Sequence, residues 1–366
     1  MSVAKRNGPL SAERGSGSNS PALARMRKLF VDTPEIGIVI AVIISFGIFT
    51  LINSDFASVS ELQNLGVDLA GFAILAVGES LCIITGGIDL SVGSLTAFFV
   101  VASAWINVTL HVPIVLTFII IVAFGALWGL WHGFLITKLG VAPFVATLVT
   151  FIFAAGADEA LAPNPIAITS PTFLSIVGST VFGVPIAVIV LLVIGLAAWF
   201  LLERTYLGRQ IYAVGGNAEA SRLAGIPIKR RVLLVYVISG ACSAVVGIIV
   251  ASHITSGTAD SVSGWELIAI AAAVIGGVSL IGGQGRMVGV IAGAALLVVL
   301  RDGLVAVSVN AYYQSMVVGI VLLIAIVLDR LRIIRLERSG SGKRPAEEPS
   351  AAPAPTTDQS SPLSLT

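Results

Sequence analysis

Apolar runs of membrane-crossing length follow one another along most of the chain. A helix needs about 20 consecutive apolar residues to cross a bilayer, and about ten runs approach that length. They are 34–53, 61–84, 90–110, 112–137, 143–162, 184–202, 232–252, 264–281, 287–308 and 312–330. Acidic residues or prolines interrupt or flank the runs at 61–84, 143–162 and 264–281. The pattern predicts an all-α polytopic membrane protein with about ten transmembrane helices.

The polar segments between these runs differ in their basic residues. The segments 54–60, 163–183, 253–263 and 309–311 contain no Lys or Arg. The alternate segments contain basic residues at Arg25, Arg27, Lys28, Lys138, Arg204, Arg209, Arg222, Lys229, Arg230, Arg231, Arg286, Arg330, Arg332 and Arg335, whereas Arg301 lies inside a predicted run and fits this division poorly. Short loops rich in Lys and Arg stay in the cytoplasm. We therefore predict cytoplasmic N- and C-termini, and cytoplasmic loops at 138–142, 203–231 and 282–286.

Composition supports a chain that faces lipid. Hydrophobic residues make up 56% of the 366 residues and charged residues 11%, whereas soluble domains carry about 25% charged residues. The lipid bilayer is therefore the predicted surrounding, and the net charge of +1 gives no sign of a nucleic-acid partner. Cys82 and Cys242 lie in apolar runs and the three histidines are scattered. Neither a disulfide framework nor a metal site is predicted.

The chain divides into three regions by composition. Residues 34–332 hold the apolar runs and form the predicted transmembrane domain, with 203–231 as its long cytoplasmic loop. The ends, 1–33 and 333–366, are largely rich in Ser, Gly, Pro and Ala. Such segments bury too little apolar surface to fold, so we predict two disordered cytoplasmic tails.

The segment 78–96 contains polar residues that a lipid-facing helix does not tolerate. Gly86 and Gly87 are followed by Asp89 and Ser91, which resemble an N-cap region opening the next helix. One interpretation is a tight cytoplasmic turn between helices. The other is a broken element near a transport path, because irregular backbone at membrane depth needs protein or water around it.

Glu79 and Asp68 are ionisable residues inside the predicted second helix. Eleven positions at about 100° each return to nearly the same direction, so both side chains lie on one helix face. That face is expected to point into the helix bundle, because a charge facing lipid is costly. A structural role near the interface is an equal alternative for Asp68, and Glu79 is the better functional candidate.

The loop 203–231 contains one short helix signal. Asn217 is a suitable N-cap, Glu219 favours the positive end of a helix, and Gly225 with Pro227 ends it. The pattern predicts about two helical turns outside the membrane. A short helix of this kind often serves only as a connection.

The segment 264–287 is rich in Ala and Gly, which allows helices to approach closely in lipid. Its glycines at 276–285 are not a phosphate-binding loop, because no strand precedes them and no Gly-Lys-Ser/Thr follows. No pattern in the chain indicates ATP binding.

These segments together resemble the permease subunits of ribose/xylose-type ABC sugar importers. The resemblance lies in 84–94 (ITGGIDLSVGS), 212–226 (YAVGGNAEASRLAGI), 265–283 and 312–314, in the family's order and spacing within about 34–332. It implies the ABC importer permease fold. It also implies that the segment 217–225 is a coupling helix that docks on an ATPase subunit. The residues carried over to that role are Asn217, Glu219, Ala220, Arg222 and Gly225.

The resemblance further implies a non-enzymatic subunit of a multi-pass importer in the bacterial inner membrane. ATP and Mg²⁺ would bind to the partner ATPase, and this chain would hold no cofactor of its own. The expected partners are that ATPase, an extracytoplasmic sugar-binding protein and a second permease copy, identical or related. The expected cargo is a monosaccharide, a pentose or a hexose. Candidate residues of its path are Glu79, Asp89, Ser91 and Glu266.

Three sites depart from the family pattern and concern the cargo more than the class. Arg301 and Asp302 stand where the family usually has amide residues, and they suggest an intramembrane ion pair. Asp158 and Glu159 end the fifth predicted helix, where a basic residue is more usual. Glu79 occupies a position that is ordinarily uncharged in the family. The nearest alternative is a permease of a related amino-acid or nucleoside importer. An ion-driven secondary transporter with Glu79 and Asp68 as proton carriers is another, and a membrane scaffold is a third.

Overall fold

The computed structural model describes residues 34–310 together with 312–314, 316–317, 319–321, 323–324 and 327. The described chain is built mainly from helices, with two pairs of two-residue strands. The helices are α1 (Pro34–Ile52), α2 (Val59–Ile84), α3 (Val92–Ala104), α4 (Ile114–Lys138), α5 (Pro143–Leu161), α6 (Pro171–Gly178), α7 (Ile186–Arg204), α8 (Tyr206–Gly216), α9 (Ala218–Leu223), α10 (Ile228–His253), α11 (Trp265–Ile275) and α12 (Met287–Ala306).

Eight helices in the described part of the chain are long and apolar enough to cross a membrane. They are α1, α2, α3 with the π-helical turn Trp105–Thr109 that extends it, α4, α5, α7, α10 and α12. Each coincides with a predicted run, and the predicted class of all-α polytopic membrane protein is confirmed. Of the last predicted run, 312–330, the described positions are helical. The remainder of that run and the predicted tails 1–33 and 333–366 lie outside the described residues.

The predicted run 264–281 differs most from the structure. Its helix, α11, has 11 residues and is followed by turns through residue 286. At about 1.5 Å per residue such a helix covers only half of a hydrocarbon layer about 30 Å thick. A Cβ at Gly71, halfway along α2, would lie 3.2 Å from the Trp265 ring, so α11 begins in the middle of the bundle.

Helices α2 and α10 form the centre of the bundle. Residues 70–84 of α2 are buried without interruption, and most of α10 beyond Val235 is buried as well. Helices α1, α4, α5 and α7 carry large exposed apolar side chains, including Leu51, Val115, Ile152 and Leu196. In a membrane protein such faces suit lipid or another apolar chain.

Glycines bring α4 and α10 into direct backbone contact. A Cβ at Gly125 would overlap the carbonyl oxygen of Gly240, and one at Gly129 would overlap that of Tyr236. This arrangement follows from small residues that recur every four positions along α4 at 125, 129 and 133. Close approach of this kind strengthens van der Waals packing where lipid leaves no hydrophobic driving force between helices.

Short elements join the helices in and next to two of the segments that lack Lys and Arg, 163–183 and 253–263. Strand β1 (Ile166–Ala167) pairs antiparallel with β4 (Ser256–Gly257), and β2 (Thr180–Val181) pairs with β3 (Val184–Pro185). The Ser252 hydroxyl of α10 donates to the Phe173 carbonyl oxygen of α6 at 3.0 Å. These elements connect the ends of α5, α7 and α10, and the sequence pattern did not predict them.

Candidate functional site

The chain reverses between α2 and α3 through a glycine turn in which Gly86 is exposed and Gly87 is buried. Gly86 has φ +85, a left-handed conformation that glycine adopts without strain. A Cβ at Gly87 would lie only 2.5 Å from the Tyr236 hydroxyl oxygen of α10. Gly86 therefore turns the chain, and Gly87 allows the backbone to pack closely against α10, where the residues that follow meet polar partners.

Asp89 is the centre of a buried hydrogen-bond network. Its backbone N–H donates to Glu79 Oε1 at 3.2 Å. Its Oδ1 accepts from the backbone N–H of Ser91 at 3.1 Å and from the Ser91 hydroxyl, and its Oδ2 accepts from the Ser239 hydroxyl at 2.9 Å. All four residues are about 1% exposed or less. The structure thus brings three predicted residues together and adds Ser239, which the sequence analysis missed.

Ser91 occupies the N-cap position of α3 without capping it through its side chain. Its hydroxyl donates to Asp89 instead, so Asp89 fixes the turn that precedes the helix. The predicted N-cap region is therefore present, but its side-chain hydrogen bonds run within the turn.

Two polar atoms beside this network have no hydrogen-bond partner among the described residues. They are Glu79 Oε2 and the Tyr236 hydroxyl oxygen, and both are buried. A buried polar atom without a partner costs free energy, which makes such positions more typical of functional sites than of simple packing. Because the network is enclosed, a solute reaches it only if the surrounding helices separate.

Glu266 lies apart from this network, in the first turn of α11. Its carboxylate rests against Gly93 of α3, where a Cβ would overlap Oε2. With Asp158 and Asp260 it lines a cavity of about 40 Å³, which accommodates water but not a sugar. Asp158 Oδ2 accepts from the Asp260 backbone N–H at 3.3 Å. Glu266 is thus next to the start of α3 but in a separate polar pocket, which also contains the unusual residue Asp158.

Asp68 and Arg301 lie next to different residues. Asp68 Oδ1 lies 3.9 Å from His253 Nε2 of α10. The Arg301 guanidinium lies 5.3 Å from the centre of the Phe72 ring, and it forms no salt bridge with Asp302. The suggested ion pair between Arg301 and Asp302 is therefore absent, because neighbouring residues on a helix point in different directions.

The short helix predicted at 217–225 is present as α9. Asn217 caps it, with Oδ1 accepting from the Ala220 backbone N–H at 2.9 Å. Gly225 ends it with φ +76, and the Ile226 N–H donates to the Ser221 carbonyl oxygen at 3.0 Å. Both ends of the helix are therefore fixed by local hydrogen bonds, as the sequence predicted.

The outer face of α9 is free of contacts with the rest of the described chain. Ala220 is exposed, and Glu219 and Arg222 are about two-thirds exposed and form an ion pair with each other. The hydrogen bond from Arg222 holds the pKa of the Glu219 carboxyl below its usual range, so both are charged at neutral pH. Leu223 adds an apolar side chain that is 76% exposed. Such a mixed apolar and charged face is suited to binding another protein.

Similarity to known proteins identifies the family to which the chain belongs. Residues 62–326 match the family described as branched-chain amino acid transport system / permease component. The chain is 36% identical over 295 residues to the ribose import permease protein RbsC of Haemophilus influenzae, covering 79% of this chain and 91% of that protein.

Two further relatives agree with this match. The ribose import permease protein RbsC of Bacillus subtilis is 37% identical over 300 residues, covering 81% of this chain and 92% of that protein. The D-allose transport system permease protein AlsC of Escherichia coli is 32% identical over 305 residues, covering 83% of this chain and 93% of that protein. No solved structure matches the chain. The chain therefore belongs to the transport-system permease family, as a polytopic membrane protein.

Proposed function

We propose that this chain is the membrane-spanning permease of an ABC importer in the bacterial inner membrane. The observation that carries the proposal is α9, a helix capped at both ends whose exposed face has no partner in the described chain. It lies in the loop predicted to be cytoplasmic, where an ATPase subunit would meet it. A short rigid helix transmits rigid-body movement to the long helices on either side.

The proposed cargo is a monosaccharide, a pentose or a hexose. Relatives named for ribose and D-allose import support this choice. An extracytoplasmic sugar-binding protein would deliver the cargo, and a second permease copy would complete the membrane part. The chain itself would be non-catalytic, with ATP and Mg²⁺ bound by the partner ATPase.

We assign the path to the two groups of polar residues that lie on either side of the start of α3. The Glu79, Asp89 and Ser91 network lies at one side of this point, and the Glu266 pocket lies at the other. Separation of α11 from α3 would join the two into one polar passage. Carboxylate and hydroxyl oxygens arranged in this way accept and exchange the hydrogen bonds of sugar hydroxyls.

The proposal is tested with the chain in proteoliposomes, together with candidate ABC ATPase and sugar-binding proteins from the same organism. We expect uptake of labelled ribose or allose that needs ATP and persists in the presence of an uncoupler. The charge-swapped variant Glu219→Arg with Arg222→Glu keeps the ion pair within α9 but reverses its outer charges. It should fold normally and lose ATPase binding and uptake. Uptake that persists without ATP and collapses with the uncoupler would instead indicate an ion-driven transporter.

Amino-acid cargo is the second candidate, favoured by the description of the family that matches residues 62–326. The same proteoliposomes distinguish it, with labelled leucine offered beside the labelled sugars. ATP-dependent uptake of leucine without uptake of sugar would support this candidate and exclude the monosaccharide.

A further inference from the structure

Helix α8, which leads into α9, is fastened to the ends of two other segments by backbone contacts. A Cβ at Gly215 would overlap the carbonyl oxygen of Ile84, the last residue of α2. The same carbonyl oxygen accepts a hydrogen bond from the Gly283 N–H at 2.8 Å. One carbonyl group thus joins α8, the end of α2 and the turn that follows α11.

Further contacts tighten this junction. A Cβ at Gly283 would lie 2.7 Å from the Cα of Gly216, and one at Gly282 would lie 3.0 Å from the Gly215 carbonyl oxygen. The Tyr212 hydroxyl donates to the Gly285 carbonyl oxygen at 2.7 Å. Burial raises the pKa of Tyr212 to about 12, so its hydroxyl remains a donor at neutral pH.

The junction also reaches the start of α10. Arg231 Nε donates to Gln210 Oε1 at 2.6 Å, which ties the opposite side of α8 to that helix. Any displacement of α8 therefore acts on three segments at once. This arrangement differs from a loop helix connected to the membrane domain only through its two chain ends.

Each fastened segment continues directly to one of the two polar sites. The Ile84 end of α2 leads through Gly86 to Asp89, five residues further on, and its network with Glu79. The turn at 276–286 leads back to α11, whose first turn carries Glu266. Because these contacts join backbone atoms directly and packed interiors resist deformation, α8 cannot shift far without moving the two segments that it touches.

We propose that Gly215 is a positioning residue that makes α8, the turn after α2 and the turn after α11 move as one body. This inference rests on the proposed function of α9. It adds that ATPase movement reaches both polar sites together, through the Ile84 carbonyl group and the Tyr212 hydroxyl group.

Gly215→Ala tests the junction, with Gly216→Ala as its matched control. Nothing lies within 4 Å of a Cβ at Gly216, whereas a Cβ at Gly215 forces α8 away from Ile84. We expect the Gly215→Ala variant to bind the ATPase as the unmodified chain does. It should, however, take up about tenfold less sugar per ATP hydrolysed, a factor within the usual range of coupling between two sites. Gly216→Ala should retain both properties.

Tyr212→Phe provides a second variant that introduces no overlap. It removes only the bond to Gly285 and should lower the ratio of uptake to ATP hydrolysis in the same direction. Unchanged ratios in both Gly215→Ala and Tyr212→Phe would overturn the proposal. Loss of ATPase binding in step with uptake would also overturn it, because Gly215 would then only shape the docking surface.

Hydrogen exchange on the permease alone in nanodiscs separates this inference from the proposed function. Gly215→Ala should speed exchange in peptides covering 85–91 and 279–286, because the Gly283 N–H loses its place on Ile84. Gly216→Ala should not. Unchanged exchange in Gly215→Ala would refute the junction, whether or not the unmodified chain binds an ATPase.

Discussion

Asp89 engages its backbone N–H and both carboxylate oxygens in hydrogen bonds inside the helix bundle. A carboxylate held in this way fixes the direction of the backbone on either side of it. Its partner Glu79 has one oxygen engaged and one without a partner among the described residues. The two acidic side chains therefore differ, since both carboxylate oxygens of Asp89 are engaged in the turn and one oxygen of Glu79 is not.

Two substitutions of Glu79 distinguish the effect of its shape from the effect of its charge. Glu79→Ala leaves the Asp89 N–H unpaired beside a cavity, and we expect it to lower stability by about 3 kcal/mol. Glu79→Gln keeps an acceptor of nearly the same shape and should unfold at close to the unmodified temperature. Thermal unfolding in detergent, followed by uptake assays, measures both. A stable Glu79→Gln that no longer transports would show that the carboxyl group itself serves the path.

The cap of α9 allows an equally specific test. Asn217→Ala removes the acceptor of the Ala220 N–H and should destabilise the helix by about 1 kcal/mol, weakening ATPase binding about fivefold. Asn217→Asp keeps a capping oxygen and serves as the control. Titration of the permease in nanodiscs with purified ATPase gives both affinities. Equal weakening by Asp and Ala would indicate that Asn217 contacts the ATPase directly and that its capping role is secondary.

The sequence predicted these site residues to different extents. Asn217, Glu219 and Gly225 follow local capping rules, so their arrangement could be predicted from nine adjacent positions. Ser239 and Tyr236 could not, because they reach the Asp89 turn from a helix about 150 positions later. The sequence alone does not show that Glu266 shares a pocket with Asp158 and lies apart from Glu79. Long-range packing decides these contacts, and no local pattern encodes it.

At the scale of elements, glycines control how closely helices pack. The contact between α4 and α10 leaves no room for a methyl group at Gly125. The Gly240 backbone and the Ala244 methyl group lie directly against Gly125, so we expect the pair to behave as a stiff unit within the bundle.

Gly125→Ala is expected to force this pair apart. Overpacking of a close contact typically costs about 1–3 kcal/mol, and the thermal unfolding temperature in detergent should fall accordingly. Gly156→Ala in α5 is the matched control, since nothing lies within 4 Å of its Cβ, and its stability should change by less than about 1 kcal/mol. Equal behaviour of the two variants would contradict the backbone contact.

Most elements were predictable because the apolar runs are long and the loops between them polar. The short helix α6 and strands β1 to β4 were missed, because two to eight residues produce no clear periodicity. The run 264–281 was predicted to cross the membrane, since its composition is apolar throughout. Its helix nevertheless stops at Ile275, where Gly276 and Gly277 follow, and Gly277 adopts φ +87.

At the scale of the whole molecule, the split of basic residues and the fold together predict which surfaces face each compartment. Phe182, in the turn between β2 and β3, is fully exposed in a segment without Lys or Arg. Leu223 is exposed on α9, in the basic loop. The native Cys82 and Cys242 are buried and give little background for thiol labelling.

Thiol labelling in intact cells tests this orientation. Phe182→Cys should react with a membrane-impermeant maleimide added outside. Leu223→Cys should react only after the membrane is permeabilised, while the unmodified chain stays nearly unlabelled because its two thiols are buried. The reverse pattern would place α9 outside the cell and remove it from reach of any ATPase.

The half-length of α11 has an energetic consequence for an opening and closing cycle. Gly264 with φ +81 precedes the helix, and the glycines at 276 and 277 follow it. Rotation about these flanking torsions would move α11 as a unit and leave the hydrogen bonds within the helix intact. The full-length helices around it can meanwhile stay in place against the lipid. In the proposed transporter, a movement confined to α11 would disturb fewer contacts between helices than a rearrangement of the whole bundle, and it would leave fewer gaps through which ions could leak.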